Sequence, residues 1–146
     1  GYESFAYWEV DDRQHGYPTG GTDELLARIE SFERHPHPAH VLWQPALDWK
    51  TSFYWLDWTK PRINALIEAT LDRSGNRIDV KSDGKGVEGL AVLLSPAIVD
   101  LEKEVTVTLD GEEVFRGVPK PSWATFVRTA LLQDEGRLYE CRIQLK

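Results

Sequence analysis

The spacing of apolar and polar residues changes along the chain. Residues 22–33 carry Leu25, Leu26, Ile29 and Phe32 on one helical face, after a Thr22 cap. Two prolines shortly afterwards disfavour helical geometry in the residues before them, so the helix is expected to end near residue 35. Beyond residue 38, short runs rich in β-branched and aromatic residues are separated by turn signals. The pattern predicts a helix followed by a mainly β domain.

The predicted strands are short and closely spaced. The best defined pair is residues 104–117, where Asp110-Gly111 divides two apolar runs and is typical of a β-hairpin turn. Ser122 caps a second predicted helix over 122–133, which carries Phe126, Val127, Ala130 and Leu131 at helical spacing. The other predicted strands cover residues 2–10, 40–44, 51–59, 62–72, 76–82, 89–95 and 137–145. This spacing predicts an immunoglobulin-like β-sandwich with an N-terminal helix and one helix inserted before the last strand.

Composition narrows the function classes. Apolar residues make up 41% of the 146 residues, and the formal net charge is −7 without a basic cluster. Nucleic acid is therefore not expected as a partner, because phosphate binding needs concentrated Lys and Arg. A membrane is not expected either, since no apolar run approaches about 18 residues. The single Cys141 excludes an internal disulfide, and its place among Tyr139 and Ile143 predicts a small buried side chain.

The chain contains no methionine and begins with Gly1. Because a complete reading frame needs a start codon, we expect this chain to be part of a longer protein. That expectation decides how the candidate chemistry near its N-terminus is interpreted.

Two stretches carry a resemblance to a known family. "DDRQHGYPTGGTDELLARIESFERHPHPAHVLW" resembles the end of an α/β-hydrolase of the prolyl-oligopeptidase and esterase type: last strand, His-Gly-Tyr-Pro loop and final helix. "NRIDV" and "LLSPAIVDLEKEVTVTLDGEEVFRG" are similar to the β-domain that follows the catalytic domain in some large bacterial members. The resemblance implies a hydrolase remnant over residues 1–38 and a β-sandwich accessory domain over 39–146.

The resemblance assigns one catalytic role, to His15. The family's triad histidine takes the proton of the serine hydroxyl and returns it to the leaving group. Family order places the serine and the acid earlier in the chain, and no Gly-x-Ser-x-Gly occurs here. The implied parent is thus an esterase or peptidase. This chain alone is expected to be inactive, with the upstream catalytic domain as its partner and no cofactor. Export of the parent is a further expectation from the resemblance, since the residues themselves set no compartment.

The predicted strand over residues 2–10 would lack its neighbours in the hydrolase sheet. An orphaned strand exposes unpaired backbone groups. It is expected to pair with the sandwich, to form a homodimer with a second copy, or to be disordered.

Three histidines in "RHPHPAH", His35, His37 and His40, with Glu33 nearby, are candidate metal ligands. Prolines stiffen this stretch and only one further ligand is close in sequence. A solvated inter-domain linker is the favoured interpretation, and no metal site is predicted.

An aromatic-rich stretch supports a second class of function, a binding module for carbohydrate or a protein partner. Its candidate binding surface consists of Trp43, Trp49, Tyr54 and Trp58. Strand alternation over 51–59 would place Phe53 and Trp55 on one face and Tyr54, Leu56 and Trp58 on the other. Because a large aromatic side chain buries about 150–250 Å², folding competes for these residues, and at least one set is expected in the core.

Overall fold

The computed structural model describes residues 21–30, 35–131 and 137–146. Contacts divide the chain into two compact units, Gly1–His35 and Pro36–Lys146. The predicted strand over residues 2–10 and the candidate triad residue His15 lie outside the described residues.

The first unit contains helix α1, Gly21–Ile29, so the predicted helix is confirmed over most of its described length. Asp23 and Glu24 lie in its first turn, where they complement the helix dipole. Arg28 donates to Glu24 across one turn at 3.0 Å. Among the described residues, neither this helix nor the later one has the length and apolar character that crossing a membrane requires.

The second unit is mainly β, as predicted. Its described elements are nine strands and one helix, here labelled β1 His40–Trp43, β2 Ser52–Phe53, β3 Leu56–Trp58, β4 Ile67–Asp72, β5 Arg77–Ser82, β6 Leu90–Leu94, β7 Val105–Leu109, β8 Glu112–Gly117, α2 Trp123–Ala130 and β9 Cys141–Gln144. The predicted insertion of a helix before the last strand is confirmed.

The strands form two sheets. The first has five strands in the order β1-β4-β5-β7-β8, and all neighbours are antiparallel except β5 and β7. The second has four antiparallel strands in the order β2-β3-β6-β9. One buried cluster draws on both sheets, with Ile67, Ile78 and Val107 from the first and Trp58 and Val92 from the second. The arrangement is consistent with a β-sandwich.

The β7–β8 hairpin is confirmed. Asp110 and Gly111 have φ values of 52° and 88°, the positive values that a tight two-residue turn needs. The Asp110 carboxylate also accepts hydrogen bonds from the backbone N–H and hydroxyl of Ser82, at 2.7 and 2.8 Å. The turn is therefore fixed both by its own backbone and by the neighbouring strand end.

The prediction of one strand over residues 51–59 is wrong. The segment is a tight hairpin in which Phe53 pairs with Leu56, and Tyr54 at the turn has a φ of 51°. Trp55 is fully buried at the turn, and its indole N–H donates to the Pro38 carbonyl at 2.9 Å. Burial of this ring fixes the turn, which simple alternation cannot anticipate.

Candidate functional site

Helix α2 is attached at its N-terminus to the strand that follows it. The Ser122 hydroxyl accepts from the Thr125 backbone N–H at 3.4 Å, so the predicted cap is confirmed. The Ser122 backbone N–H donates to the Glu140 carbonyl at 2.8 Å. These bonds fix where the helix begins relative to the chain entering β9.

The apolar residues of α2 point away from the domain. Trp123 is 81% exposed, Leu131 77%, Val127 51% and Phe126 36%. The Trp123 and Phe126 rings meet edge to face, with centroids 6.0 Å apart. We call Trp123, Phe126, Val127, Ala130 and Leu131 the outer face of α2. Their spacing is that of a stripe which normally packs inward.

The inward side of α2 is polar. Thr125 and Thr129 are its buried residues. The Thr129 hydroxyl donates to the Phe126 carbonyl at 3.1 Å and accepts from the Tyr139 backbone N–H, also at 3.1 Å. A buried N–H left without an acceptor is costly, so the chain before β9 requires a polar residue on this side of the helix.

A second polar group beneath α2 is a carboxylate. Asp57 of β3 is only 3% exposed, and its neighbours Leu56 and Trp58 belong to the hydrophobic core. Because successive strand residues point to opposite faces, Asp57 lies on the outer face of the four-stranded sheet. Arg128 of α2 donates to its Oδ1 at 2.8 Å, and Arg142 of β9 donates to its Oδ2 at 2.7 Å.

These three residues, the Asp57 cluster, connect β3, α2 and β9. They border a cavity of about 140 Å³ that Ser52, Leu93, Ala124, Thr125 and Thr129 also line. Arg142 is further held by Gln144, to which its guanidinium donates at 2.6 Å. The cluster fixes the rotation of α2 about its axis, and so determines which side faces solvent.

A groove lies at the N-terminal end of the outer face. It has a volume of about 300 Å³ and is lined by Pro121, Ser122, Trp123, Phe126 and Glu140. Its walls are mainly apolar, and Glu140 is the acidic residue among those that line it. Such a groove suits an apolar side chain flanked by a basic one.

The predicted aromatic surface is not assembled. Trp43 and Trp58 are buried in the core, where their rings meet at 5.7 Å, and Trp58 donates its indole N–H to the Glu88 carbonyl at 2.9 Å. Tyr54 is half-buried against the core, whereas Trp49 is 72% exposed. The four residues therefore share no exposed face, because the large rings of Trp43 and Trp58 fill the core.

A shallower groove does border the same stretch. It measures about 310 Å³ and is lined by Leu42, Trp43, Gln44, Pro45, Ala46, Leu47, Lys50 and Phe53. The Lys50 ammonium lies 5.2 Å from the Phe53 ring centroid. This groove and the exposed Trp49 are accessible to a ligand in solution.

The histidines of the proline-rich stretch have separate surroundings. The His37 ring contacts Tyr139 edge to face at 5.9 Å, and His40 Nε2 lies 3.0 Å from a Glu68 carboxylate oxygen. The carbonyl of His37 accepts from Arg73 at 2.7 Å. Residues 36–40 are thus held against the sandwich, which differs from the solvated linker we expected. Within residues 21–30, 35–131 and 137–146, no group of three acidic, His or Cys side chains is arranged to hold a metal ion.

Among the described groups whose pKa is shifted, Asp79 and Cys141 show the two main causes, charge pairing and burial. The Arg77 guanidinium, at 2.8 Å from Asp79, holds the pKa of that carboxyl below its ordinary value, and a hydrogen bond from Thr108 acts in the same direction. Burial raises the pKa of the Cys141 thiol. Cys141 is fully buried, as predicted, which keeps its reactive thiolate form scarce.

Comparison with protein-family models, with curated proteins and with solved structures finds no match to this chain. The hydrolase resemblance consequently stays a prediction.

Sequence reasoning missed the Asp57 cluster and the outward orientation of α2. The signal for the latter is present in the helix itself, since Thr125 and Thr129 are spaced by one turn opposite the apolar stripe. Finding the Asp57 cluster needs the pairing of residues more than 70 positions apart, for which the sequence pattern carries no signal.

Proposed function

We propose that the sandwich is the accessory domain of a serine hydrolase, an esterase or peptidase, whose triad histidine is His15. The observation that supports this proposal is the position of helix α1 in the sequence. Helix α1 begins at Gly21, with two residues between it and the end of the His-Gly-Tyr-Pro sequence, as the final helix of such a hydrolase would. In this proposal the serine and the acid come from the preceding catalytic domain, and the sandwich contributes no reacting group.

The histidine would act as the general base toward the serine and then as the acid toward the leaving group. The acyl group transfers first to the serine oxygen and then to water, so an ester or amide is cleaved to an acid and an alcohol or amine. The sandwich would support the catalytic domain and border access to it. The finer assignment of an immunoglobulin-like topology stays a prediction, since the parallel β5–β7 pair departs from the antiparallel sheets of that fold.

The test uses the complete polypeptide that carries this chain. Changing His15 to Ala is expected to lower turnover of an activated ester by at least about 10⁴-fold, the scale for loss of a triad member. His40→Ala is the matched control, because His40 is exposed and pairs with Glu68 on the sandwich surface. Equal activity of the two variants, or failure of a serine-directed fluorophosphonate to label the polypeptide, would contradict the proposal.

A second candidate is a carbohydrate-binding module. The exposed ring of Trp49 favours this candidate, because flat aromatic rings stack on sugar faces, and the aromatic-rich stretch also lines a groove. Calorimetric titration with soluble oligosaccharides tests it directly. Binding that Trp49→Ala abolishes would support the module, and no heat with any sugar class would exclude it.

A further inference from the structure

We propose that the outer face of α2 is an inter-domain docking surface, covered by a neighbouring domain of the same polypeptide. The identity of that neighbour as the catalytic domain rests on the proposed function. The docking itself rests on the helix and on the sandwich beneath it.

The first step is that the outward orientation of α2 is imposed. Arg128 reaches the buried Asp57, and Thr129 satisfies the Tyr139 backbone N–H. Rolling the helix to bury its apolar stripe would leave both groups without their partners, and a buried polar group without a partner is destabilising, more so when it is charged. The apolar stripe thus stays on the surface in the folded domain.

The second step is the size of the exposed surface. A whole aromatic side chain offers about 150–250 Å², so the exposed fractions of Trp123, Phe126, Val127 and Leu131 leave on the order of 500 Å² of apolar area. Patches of this size on a single domain are commonly binding surfaces. The adjoining groove adds a concave, mainly apolar surface, and the acidic residue Glu140 is among those that line it.

The third step selects the occupant. A stable complex between separate molecules buries about 800 Å² on each partner, which the outer face alone does not reach. This makes a self-standing dimer through α2 weak. Interfaces between domains of one chain bury about 600–1,500 Å² in total, or roughly 300–750 Å² on each side. The outer face fits that range, because a covalent connection supplies a high effective concentration.

The charge at the site also favours a protein surface over a membrane. The whole chain carries a net charge of −7, and Glu140 is among the residues that line the groove. Anionic lipid headgroups would be repelled by this charge. A domain that presents an apolar side chain beside an Arg or Lys would complement both the apolar walls of the groove and Glu140.

The experiment compares two exposed tryptophans by hydroxyl-radical footprinting. In the 146-residue chain, Trp123 and Trp49 are 81% and 72% exposed and should be oxidised at similar rates. In the complete polypeptide, Trp123 oxidation should slow at least about fivefold, because the centre of an interface excludes solvent, while Trp49 keeps its rate. Trp123 that stays as reactive as Trp49 would overturn the docking.

A matched pair of variants tests the surface itself. Leu131→Glu in the complete polypeptide should restore Trp123 oxidation to the rate seen in the 146-residue chain. Leu47→Glu, a change at a leucine of 47% exposure in the β1–β2 connection, should not. In the 146-residue chain, neither substitution should change the midpoint of thermal unfolding, since neither side chain lies in the core. Equal effects of the two changes would also overturn the docking.

Other outcomes separate the proposals. If protection of Trp123 in the 146-residue chain increases with protein concentration, a second copy covers the outer face of α2. That result would overturn the inference. Protection of Trp123 in the complete polypeptide without fluorophosphonate labelling would support the docking surface and contradict the hydrolase proposal. Fluorophosphonate labelling without protection of Trp123 would support the hydrolase proposal and contradict the docking surface.

Discussion

Two regions, helix α2 and the aromatic-rich stretch that precedes β4, have burial opposite to what their sequences suggest. Trp43, Trp55 and Trp58 occur in a run that resembles a binding surface, yet they form the centre of the core. Trp123 and Phe126 occur in a stripe that resembles a core-facing helix, yet they are exposed. An apolar stripe on a helix therefore does not by itself show which side packs inward. In α2 the polar groups beneath the helix, Asp57 and the Tyr139 backbone N–H, set that orientation.

The largest effect expected from this comparison is the loss of a core tryptophan. Trp58→Ala removes a ring that packs on Trp43 and donates to the Glu88 carbonyl. It should lower the free energy of unfolding by about 3–5 kcal/mol, as large-to-small core changes of this size do. Trp123→Ala should change it by less than about 0.5 kcal/mol, because that ring is solvated. Urea denaturation of both variants measures the contrast, and similar losses would contradict it.

An intermediate effect is expected at the Asp57 cluster. Asp57→Asn removes the charge that pairs Arg128 and Arg142. Breaking a buried ion pair costs about 3–5 kcal/mol, and because Arg128 reaches water we expect about 2–3 kcal/mol here. Hydrogen exchange should also quicken throughout α2, since the cluster holds the helix on the sheet.

The control for this change is Glu68→Gln, which makes the same carboxylate-to-amide substitution in an exposed pair with His40. Its cost should stay below about 1 kcal/mol. Equal unfolding free energies for the two variants would show that the Asp57 cluster does not fix α2.

The smallest expected change in unfolding free energy concerns two threonines on the inner side of α2. Thr129→Val keeps the shape but leaves the Tyr139 backbone N–H without its acceptor, and it should cost about 1–3 kcal/mol. Thr125→Val is equally isosteric, and its hydroxyl makes no hydrogen bond within the described part of the chain, so the change should be nearly neutral. Thermal or urea unfolding gives the comparison. If both changes are neutral, the Thr129 bond does not set the orientation of the helix.

Much of the fold could be predicted from local sequence. The β7–β8 hairpin follows from Asp110-Gly111, and the start of α2 follows from Ser122, because both signals act through neighbouring backbone atoms. The strand prediction over 51–59 failed where a buried ring, Trp55, fixes a turn through the distant Pro38 carbonyl. The local pattern of apolar and polar residues cannot predict that contact, because the two residues are far apart in sequence.

Less of the candidate site could be predicted. The sequence marks Trp49 and Trp58 as equal candidates for binding, and the structure exposes one and buries the other. The candidate triad residue His15 and the predicted strand over residues 2–10 lie outside the described residues, so both stay predictions. Trp49 and Trp58 differ in burial because their rings lie at different positions relative to the two sheets. Those positions depend on the order of the strands.

The turns, the helix cap and the mainly β character follow from local sequence, since they depend on the backbone preferences of a few adjacent residues. Which aromatic rings are buried depends on the tertiary structure. The orientation of α2 also depends on it, because the helix sequence shows a polar side opposite its apolar stripe but does not show what lies beneath the helix. The physical reason is that Asp57, Arg128 and Arg142 meet across three elements. A charge removed from water must be paired wherever the fold places it, and that pairing turns the apolar stripe outward.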